Sequence, residues 1–350
     1  MKFLSYILTF ILLLTIADSP LHAQRKVQVV ATLNTFGNIA QYIGGDRVTV
    51  RSIVQGNEDP HYVKPKPTYA VWLAQADLFI ETGLDLELWA PALIDKSGNP
   101  RIRSGQPGYV AVADGIPMLE VPTVADRSQG DVHIYGNPHI HTSPLNAKII
   151  AENITIGLIN VDPEGETYYR ENLARFKQEI DERLFGKQLV QLLTGPVLTQ
   201  LARKHQLFSF LKNKQFNGKP LIQLLGGWIG QLYPYRHRKL VAYHKNWAYF
   251  EDLFELEIIG YIEPKPGIPP SPRHVESLIA RMRQEHVRVI LAANYFSERK
   301  VRDIAEKVHA IPVIVPLGID EAAGITNYFQ LVDYWVSHLT QAFQQTTQEK

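Results

Sequence analysis

Apolar and polar positions along the first third of the chain follow two alternating periods. Residues 27–32 form a mostly apolar run rich in valine, which predicts a buried strand, and residues 34–43 then show helical spacing. A second strand is predicted at 47–54, a helix at 68–74 and a third strand at 77–82. This β-α-β-α-β succession is typical of a doubly wound, mostly parallel sheet.

A second series of the same kind begins near residue 239. It comprises predicted strands at 239–243, 257–261, 287–293 and 313–315 and predicted helices at 273–283 and 328–342. Between the two series, helical patterns cover residues 144–158 and then run from 167 past 184, the latter with Glu and Lys on its outer face. We therefore predict an α/β fold of two doubly wound lobes, each with a mostly parallel sheet, bridged by a long helix and separated by a cleft.

The predicted organisation has five parts. They are a signal peptide at 1–23, a first lobe at 24–160, the bridging helix at 161–185, an insertion at 186–238 and a second lobe at 239–350. The stretch from 95 to 137 is rich in Gly, Pro and Asp and predicts loops with short strands. The insertion is apolar and interrupted by glycine, which favours a helical subdomain or a core extension over a catalytic loop.

The N-terminus predicts export. Lys2 precedes an apolar run through Ile16, and Leu21-His22-Ala23 resembles a signal-peptidase site, so we expect the mature chain to begin at Gln24 and to be water-soluble. The sequence contains no cysteine, so we expect neither thiolate metal sites nor a lipid-modified cysteine, and place the protein free in the periplasm. A net charge of +1 with interspersed signs argues against nucleic acid or an anionic membrane as partner.

Three of the twelve histidines, His61, His139 and His244, lie where a predicted strand gives way to a loop. Imidazole is the commonest protein ligand for Zn²⁺, and three imidazoles with one oxygen donor would complete a site. Prolines after His61 stiffen its loop and lower the entropy lost on binding an ion. If residues 139–141 are extended, His139 and His141 project to the same side and could approach one ion. His133 could recruit metal loosely, but we interpret it as a solvated loop residue.

The ordered blocks around these histidines resemble the periplasmic solute-binding proteins of zinc- and manganese-type ABC importers. The likeness covers residues 27–345 except 185–238, and its blocks include Asp59-Pro60-His61-Tyr62, Thr82-Gly83-Leu84-Asp85, Asn137-Pro138-His139, Asp162-Pro163 and Tyr243-His244. The resemblance implies two α/β lobes bridged by one helix, with a buried metal ion in the cleft. It also implies a carrier rather than an enzyme, which delivers its ion to a permease in the cytoplasmic membrane. We expect a monomer.

The resemblance assigns His61 and His139 from the first lobe and His244 from the second as ligands. The family's fourth ligand is usually a carboxylate just after the last strand of the second lobe, and here the acid is displaced by several residues; we assign it to Asp320, with Glu321 next. Completion by water, by His141 or by a carboxylate from a remodelled loop stays open. Three imidazoles favour Zn²⁺ as the transported ion, with Mn²⁺ as the alternative, because Mn²⁺ prefers more oxygen donors.

Two other functions fit three histidines. A zinc hydrolase could use the same ligands with an open position, but the chain has no H-E-x-x-H or G-x-S-x-G motif and no acid clearly placed as a general base. The metal could instead be structural in a partner-binding protein.

Overall fold

The computed structural model describes residues 25–122, 133–264 and 267–348. The predicted signal peptide lies outside the described residues, as do positions 123–132 of the loop-rich stretch. Within the described ranges, no helix combines the length and the apolar character needed to cross a membrane.

The first lobe is built on a four-stranded parallel sheet. Its strands are β1 (Val27–Leu33), β2 (Val48–Val54), β3 (Leu78–Glu81) and β4 (Tyr109–Ala111), in the order β2-β1-β3-β4. Strand β1 is almost entirely buried because it is an inner strand: Val29 pairs with Val50 on one side and Leu78 on the other. The helices of this lobe are α1 (Asn34–Gly44), α2 (Pro67–Gln75), α3 (Ala90–Ser97) and α4 (Pro144–Val161).

Helix α5 (Glu166–Phe185) follows and lies in the chain between the two sheets. The predicted insertion contains four short helices and a two-stranded antiparallel hairpin. These are α6 (Lys187–Leu193), α7 (Gly195–Arg203), α8 (Leu207–Asn213), β5 (Gln215–Phe216), β6 (Lys219–Pro220) and α9 (Gly227–Leu232).

The second lobe carries another four-stranded parallel sheet. Its strands are β7 (Lys239–Ala242), β8 (Glu257–Tyr261), β9 (Val289–Ala293) and β10 (Ile311–Val315), in the order β10-β9-β7-β8. Its helices are α10 (Ala248–Phe254), α11 (Pro272–Gln284), α12 (Glu298–Lys307) and α13 (Tyr328–Gln348). Two parallel sheets connected by helices confirm the predicted fold class.

The strand order of each sheet places a crevice where the metal ligands are predicted. From β1 the chain moves to β2 on one side and later to β3 on the other, and it leaves β7 for β8 and β9 in the same way. Ligands of such sheets bind at the carboxyl ends of the strands where this direction reverses. His61 follows β2 and His244 follows β7.

Helix α5 is fixed to both lobes and to the insertion. Near its C-terminal end, Asp181 forms a buried ion pair of 2.6 Å with Lys148 of α4, and Lys148 also donates to Thr199 of α7. At its end, Arg183 pairs with Asp333 of α13 at 2.8 Å. Trp228 of α9 donates from Nε1 to the same Asp333 carboxylate at 2.7 Å. The insertion is therefore packed onto the bridging helix and the C-terminal helix.

Two asparagines of α1 also connect the lobes directly. Asn34 donates to the carbonyl of Ile319 at 2.6 Å and accepts from the Ile319 N–H at 3.1 Å. One helical turn later, Asn38 donates to the carbonyl of Thr326 and accepts from the N–H of Tyr328. Each amide pairs with backbone groups of the segment between β10 and α13, so these contacts hold the lobes against one another along one side of the cleft.

Candidate metal centre

His61 is held by the turn that precedes it. Asp59 Oδ1 accepts from the backbone N–H of His61 at 3.0 Å and lies 2.7 Å from His61 Nδ1. Trp89 donates from Nε1 to the carbonyl of Pro60 at 2.8 Å, which fixes the loop to the first lobe. An ionised carboxylate only accepts hydrogen bonds, so Nδ1 of His61 carries the proton and Nε2 keeps its lone pair.

His139 is positioned by Asn137, which joins both lobes. The Asn137 carbonyl oxygen Oδ1 accepts from the N–H of His139 at 2.9 Å, and its amide nitrogen donates to the backbone carbonyl of Lys245 at 2.7 Å. The hydroxyl of Tyr249 donates to the Asn137 backbone carbonyl at 2.8 Å. Because Lys245 follows His244 directly, this network sets the position of His139 relative to the ligand from the second lobe.

His244 lies two residues after the end of β7, an inner strand of the second sheet. Its neighbour Tyr243 stacks on Phe296 with ring centroids 4.2 Å apart, and the His244 ring lies 5.8 Å from the same phenyl ring. Nδ1 of His244 is 3.6 Å from a Glu263 carboxylate oxygen, beyond hydrogen-bond distance but close enough for electrostatic attraction. Glu263 therefore lies on the Nδ1 side of this imidazole.

These three imidazoles meet in the cleft. The His61 ring centroid is 5.2 Å from that of His139 and 5.6 Å from that of His244, and His139 and His244 are 6.0 Å apart. His133 lies beside them, with Nε2 3.3 Å from Nε2 of His61. One ring nitrogen from each of His61, His133 and His139 lies within 4.8 Å of the others. The structure thus brings the three predicted histidines together and adds a fourth.

Burial keeps the site in the form that binds metal. Burial lowers the pKa of His139 well below its ordinary value, and the nearby imidazoles lower it further. Burial, followed by His61, lowers the pKa of His244 to about 3. Both rings are neutral near pH 7, so each offers a nitrogen lone pair.

The two ring nitrogens of His139 give the clearest sign that this residue binds a metal ion. His139 is 1% exposed, and neither ring nitrogen has a hydrogen-bond partner among the described residues. Leaving such buried polar atoms unsatisfied costs about 1–3 kcal/mol each. An ion in the cleft would satisfy one of them.

The other residues considered for the fourth position have partners of their own. Asp320 Oδ2 accepts from the amide of Asn294 at 3.2 Å, and its Oδ1 accepts from the N–H of Ala323. Asp320 and Glu321 line a polar groove beside α1. Within the part of the chain that the structure describes, neither belongs to the group of close metal-ligating atoms.

The extended conformation considered for His139 and His141 is not found, because residues 140–142 form a 3₁₀ turn. The His141 ring lies edge-on to Phe36, with centroids 6.1 Å apart, and it is buried. Burial lowers the pKa of His141 to about 4, partly offset by a hydrogen bond with the Leu317 backbone. His141 therefore packs in the core behind His139, at a centroid distance of 6.4 Å.

The sequence matches the model of a known family. The family model described as zinc-uptake complex component A, periplasmic (ZnuA), matches residues 29–188 and 223–342. The chain belongs to this family. The matched segments contain His61, His139 and His244, and the gap between them falls inside the predicted insertion.

Two curated relatives show how far the likeness extends. The manganese ABC transporter substrate-binding lipoprotein PsaA of Streptococcus anginosus is 29% identical over 158 residues, 45% of this chain and 49% of that protein. The metal ABC transporter substrate-binding lipoprotein FimA of Streptococcus parasanguinis is 23% identical over 301 residues, 86% of this chain and 82% of that protein. The chain thus spans about half the length of the first relative and most of the second.

Solved structures share the fold. A ZnuA deletion mutant with zinc bound superposes with a TM-score of 0.66 at 23% identity, covering 91% of this chain and 98% of that chain. A manganese-bound periplasmic metal-binding protein from Candidatus Liberibacter asiaticus gives a TM-score of 0.62 at 19% identity, covering 91% and 99%.

Proposed function

We propose that this protein is an extracytoplasmic solute-binding protein that captures a divalent metal ion in the interlobe cleft and delivers it to an ABC-type permease. The observation that carries the proposal is the convergence of His61, His139 and His244 from both lobes, with both ring nitrogens of buried His139 lacking a partner among the described residues. Two relatives, PsaA and FimA, are named as substrate-binding lipoproteins of metal ABC transporters, which supports the same function.

We propose His61, His139 and His244 as ligands of the transported ion, which is Zn²⁺ first and Mn²⁺ next. Asp320 stays a prediction for the fourth ligand. Its carboxylate would have to exchange the hydrogen bonds from Asn294 and Ala323 for the ion. Ligands contributed by both lobes would couple ion release to lobe opening, which is the step a permease could drive.

The burial of the site supports a carrier over a hydrolase. The side chains of His61, His139 and His244 are 8%, 1% and 3% exposed, respectively. A hydrolase needs an open coordination position large enough for a peptide or an ester. A bare ion needs only the space between the imidazoles.

We propose the periplasm as its location. Several relatives are named lipoproteins, whereas this sequence has no cysteine to carry a thioether-linked lipid. We propose that the protein is not anchored to the membrane and that it is a monomer. Release into the soluble periplasmic fraction supports it, and retention in membranes after a salt wash contradicts it.

Uptake of radioactive zinc by cells tests the function itself. Cells without this protein should take up less zinc at low external concentration, and the wild-type gene should restore uptake. His139→Ala should not restore it. Equal restoration by both genes would contradict the proposed site, and hydrolysis of ester or peptide substrates that requires bound zinc would support the hydrolase instead.

A further inference from the structure

We propose that His133 is the fourth ligand of the transported ion, which makes the site an all-imidazole one that selects zinc over manganese. This inference rests on the proposed function and deepens it. His133 belongs to the segment that leads into Asn137 and His139, and its Nε2 lies 3.3 Å from Nε2 of His61.

The distance between these two nitrogens matches two ligands of one ion. Two Zn–N bonds of about 2.0–2.1 Å at a tetrahedral angle place the nitrogens about 3.3–3.4 Å apart. Because the Nδ1 proton of His61 is directed at Asp59, the lone pair on His61 Nε2 faces His133. The two rings are tilted by 33°, with centroids 5.4 Å apart, so both can direct Nε2 at a common point.

His139 completes the same group. Its ring is perpendicular to that of His133, with centroids 6.4 Å apart, and its nitrogens lie within reach of both other rings. Three ligand atoms thus lie within 4.8 Å of one another before the second lobe contributes. His244, whose ring centroid is 5.6 Å from that of His61 and 6.0 Å from that of His139, supplies the remaining imidazole from the second lobe.

The carboxylates at the site stand behind the imidazoles. Asp59 binds the Nδ1 side of His61, and Glu263 lies on the Nδ1 side of His244. Asp320 is engaged by Asn294 and Ala323. Four nitrogen donors with carboxylates in this outer position suit Zn²⁺, whereas Mn²⁺ is bound best where oxygen atoms are direct ligands.

The experiment compares zinc and manganese affinities of the purified exported chain by competition with a chromophoric chelator. His133→Ala should weaken zinc binding by at least about tenfold, since loss of even an outer partner of a ligand costs about 10–100-fold. His133→Asp replaces nitrogen by oxygen and should lower the ratio of zinc affinity to manganese affinity. Tyr135→Ala, an exposed residue in the same segment, is the matched control and should leave both affinities unchanged.

Cobalt(II) gives a readout that a merely structural role would not change. The visible absorption of bound Co²⁺ should be intense and four-coordinate in the wild type and in Tyr135→Ala, and should weaken and shift in His133→Ala. Wild-type zinc affinity and an unchanged cobalt spectrum in His133→Ala would overturn the inference while leaving the carrier function intact. Absence of stoichiometric metal in the wild type would instead overturn the proposed function.

Discussion

The carboxylate of Asp59 offers the sharpest test of how the site is organised. Its Oδ1 lies 2.7 Å from Nδ1 of His61 and accepts the His61 N–H at 3.0 Å, so it fixes both the loop and the tautomer. Burial tends to raise the pKa of Asp59, but the hydrogen bonds from His61 and the electrostatic attraction of that ring lower it overall. The carboxylate is therefore ionised and increases the basicity of the ligand nitrogen on the other side of the ring.

Removing that carboxylate should weaken metal binding without unfolding the protein. Partners of this kind contribute about 10–100-fold to metal affinity, which corresponds to about 1.4–2.7 kcal/mol. We expect Asp59→Asn, which keeps an acceptor oxygen but loses the charge, to weaken zinc affinity by about tenfold, the lower end of this range. Asp59→Ala, which loses the acceptor as well, should lie near the upper limit.

The assay is zinc affinity by chelator competition at one pH and one ionic strength, with thermal unfolding of the metal-free variants as a check on the fold. Glu58→Gln is the matched control because it removes the same charge one residue earlier, from an exposed side chain that accepts the Gln55 N–H. Zinc affinities of both Asp59 variants equal to that of Glu58→Gln would refute the role assigned to Asp59.

Three further predictions concern stability and opening. Burial, followed by the charge of Glu81, raises the pKa of Glu87 from 4.5 to about 7, so the folded state loses stability as pH rises through that window. In urea unfolding, the free energy of unfolding of Glu87→Gln relative to wild type should rise by up to about 3 kcal/mol between pH 4.5 and 8. A difference between the two proteins that does not change with pH would contradict this prediction. Lys148→Met should lower the free energy of unfolding by about 3–5 kcal/mol because it leaves Asp181 charged and buried, and Lys148→Met with Asp181→Leu should recover most of the loss. If denaturant titration gave the same loss of unfolding free energy for the single and the double variant, the buried charge of Asp181 would not be its cause. Asn34→Ala removes two hydrogen bonds to the Ile319 backbone and should destabilise the closed arrangement of the lobes by about 1–3 kcal/mol. Zinc release, measured by stopped-flow chelation, should then be faster; an unchanged release rate would show that these hydrogen bonds do not hold the lobes closed.

The long elements of the fold were predictable because their patterns are strong. Central strands β1 and β7 are apolar runs, and α4, α5 and α13 are long enough to show a clear helical period. Helices α3 and α10 were not predicted, since each spans only two turns and gives too few repeats. Helix α12 was not predicted either, because its apolar face is narrow: its buried residues are Val301, Ile304 and Ala305.

The candidate site was predictable as far as chain position determines it. His61 and His244 follow from their places after strands, because parallel strands end at one edge of each sheet, whereas His139 lies in a loop just before the 3₁₀ turn at 140–142. His133 was read as a solvated loop residue, and its distance from His61 depends on a turn that no sequence period marks. Its spacing, six residues before His139, is the one available signal. Asp320 was predicted from the resemblance as the fourth ligand, and we propose His133 in its place.

The most direct test of the central claim is the metal content and zinc affinity of the exported chain beside its His139→Ala variant. His139 is the buried imidazole whose ring nitrogens both lack a partner within the described ranges. We predict one zinc ion per wild-type chain and loss of stoichiometric zinc in the variant, with the metal-free fold retained. Equal zinc content in the two proteins, or none in the wild type, would contradict a metal carrier built on these imidazoles.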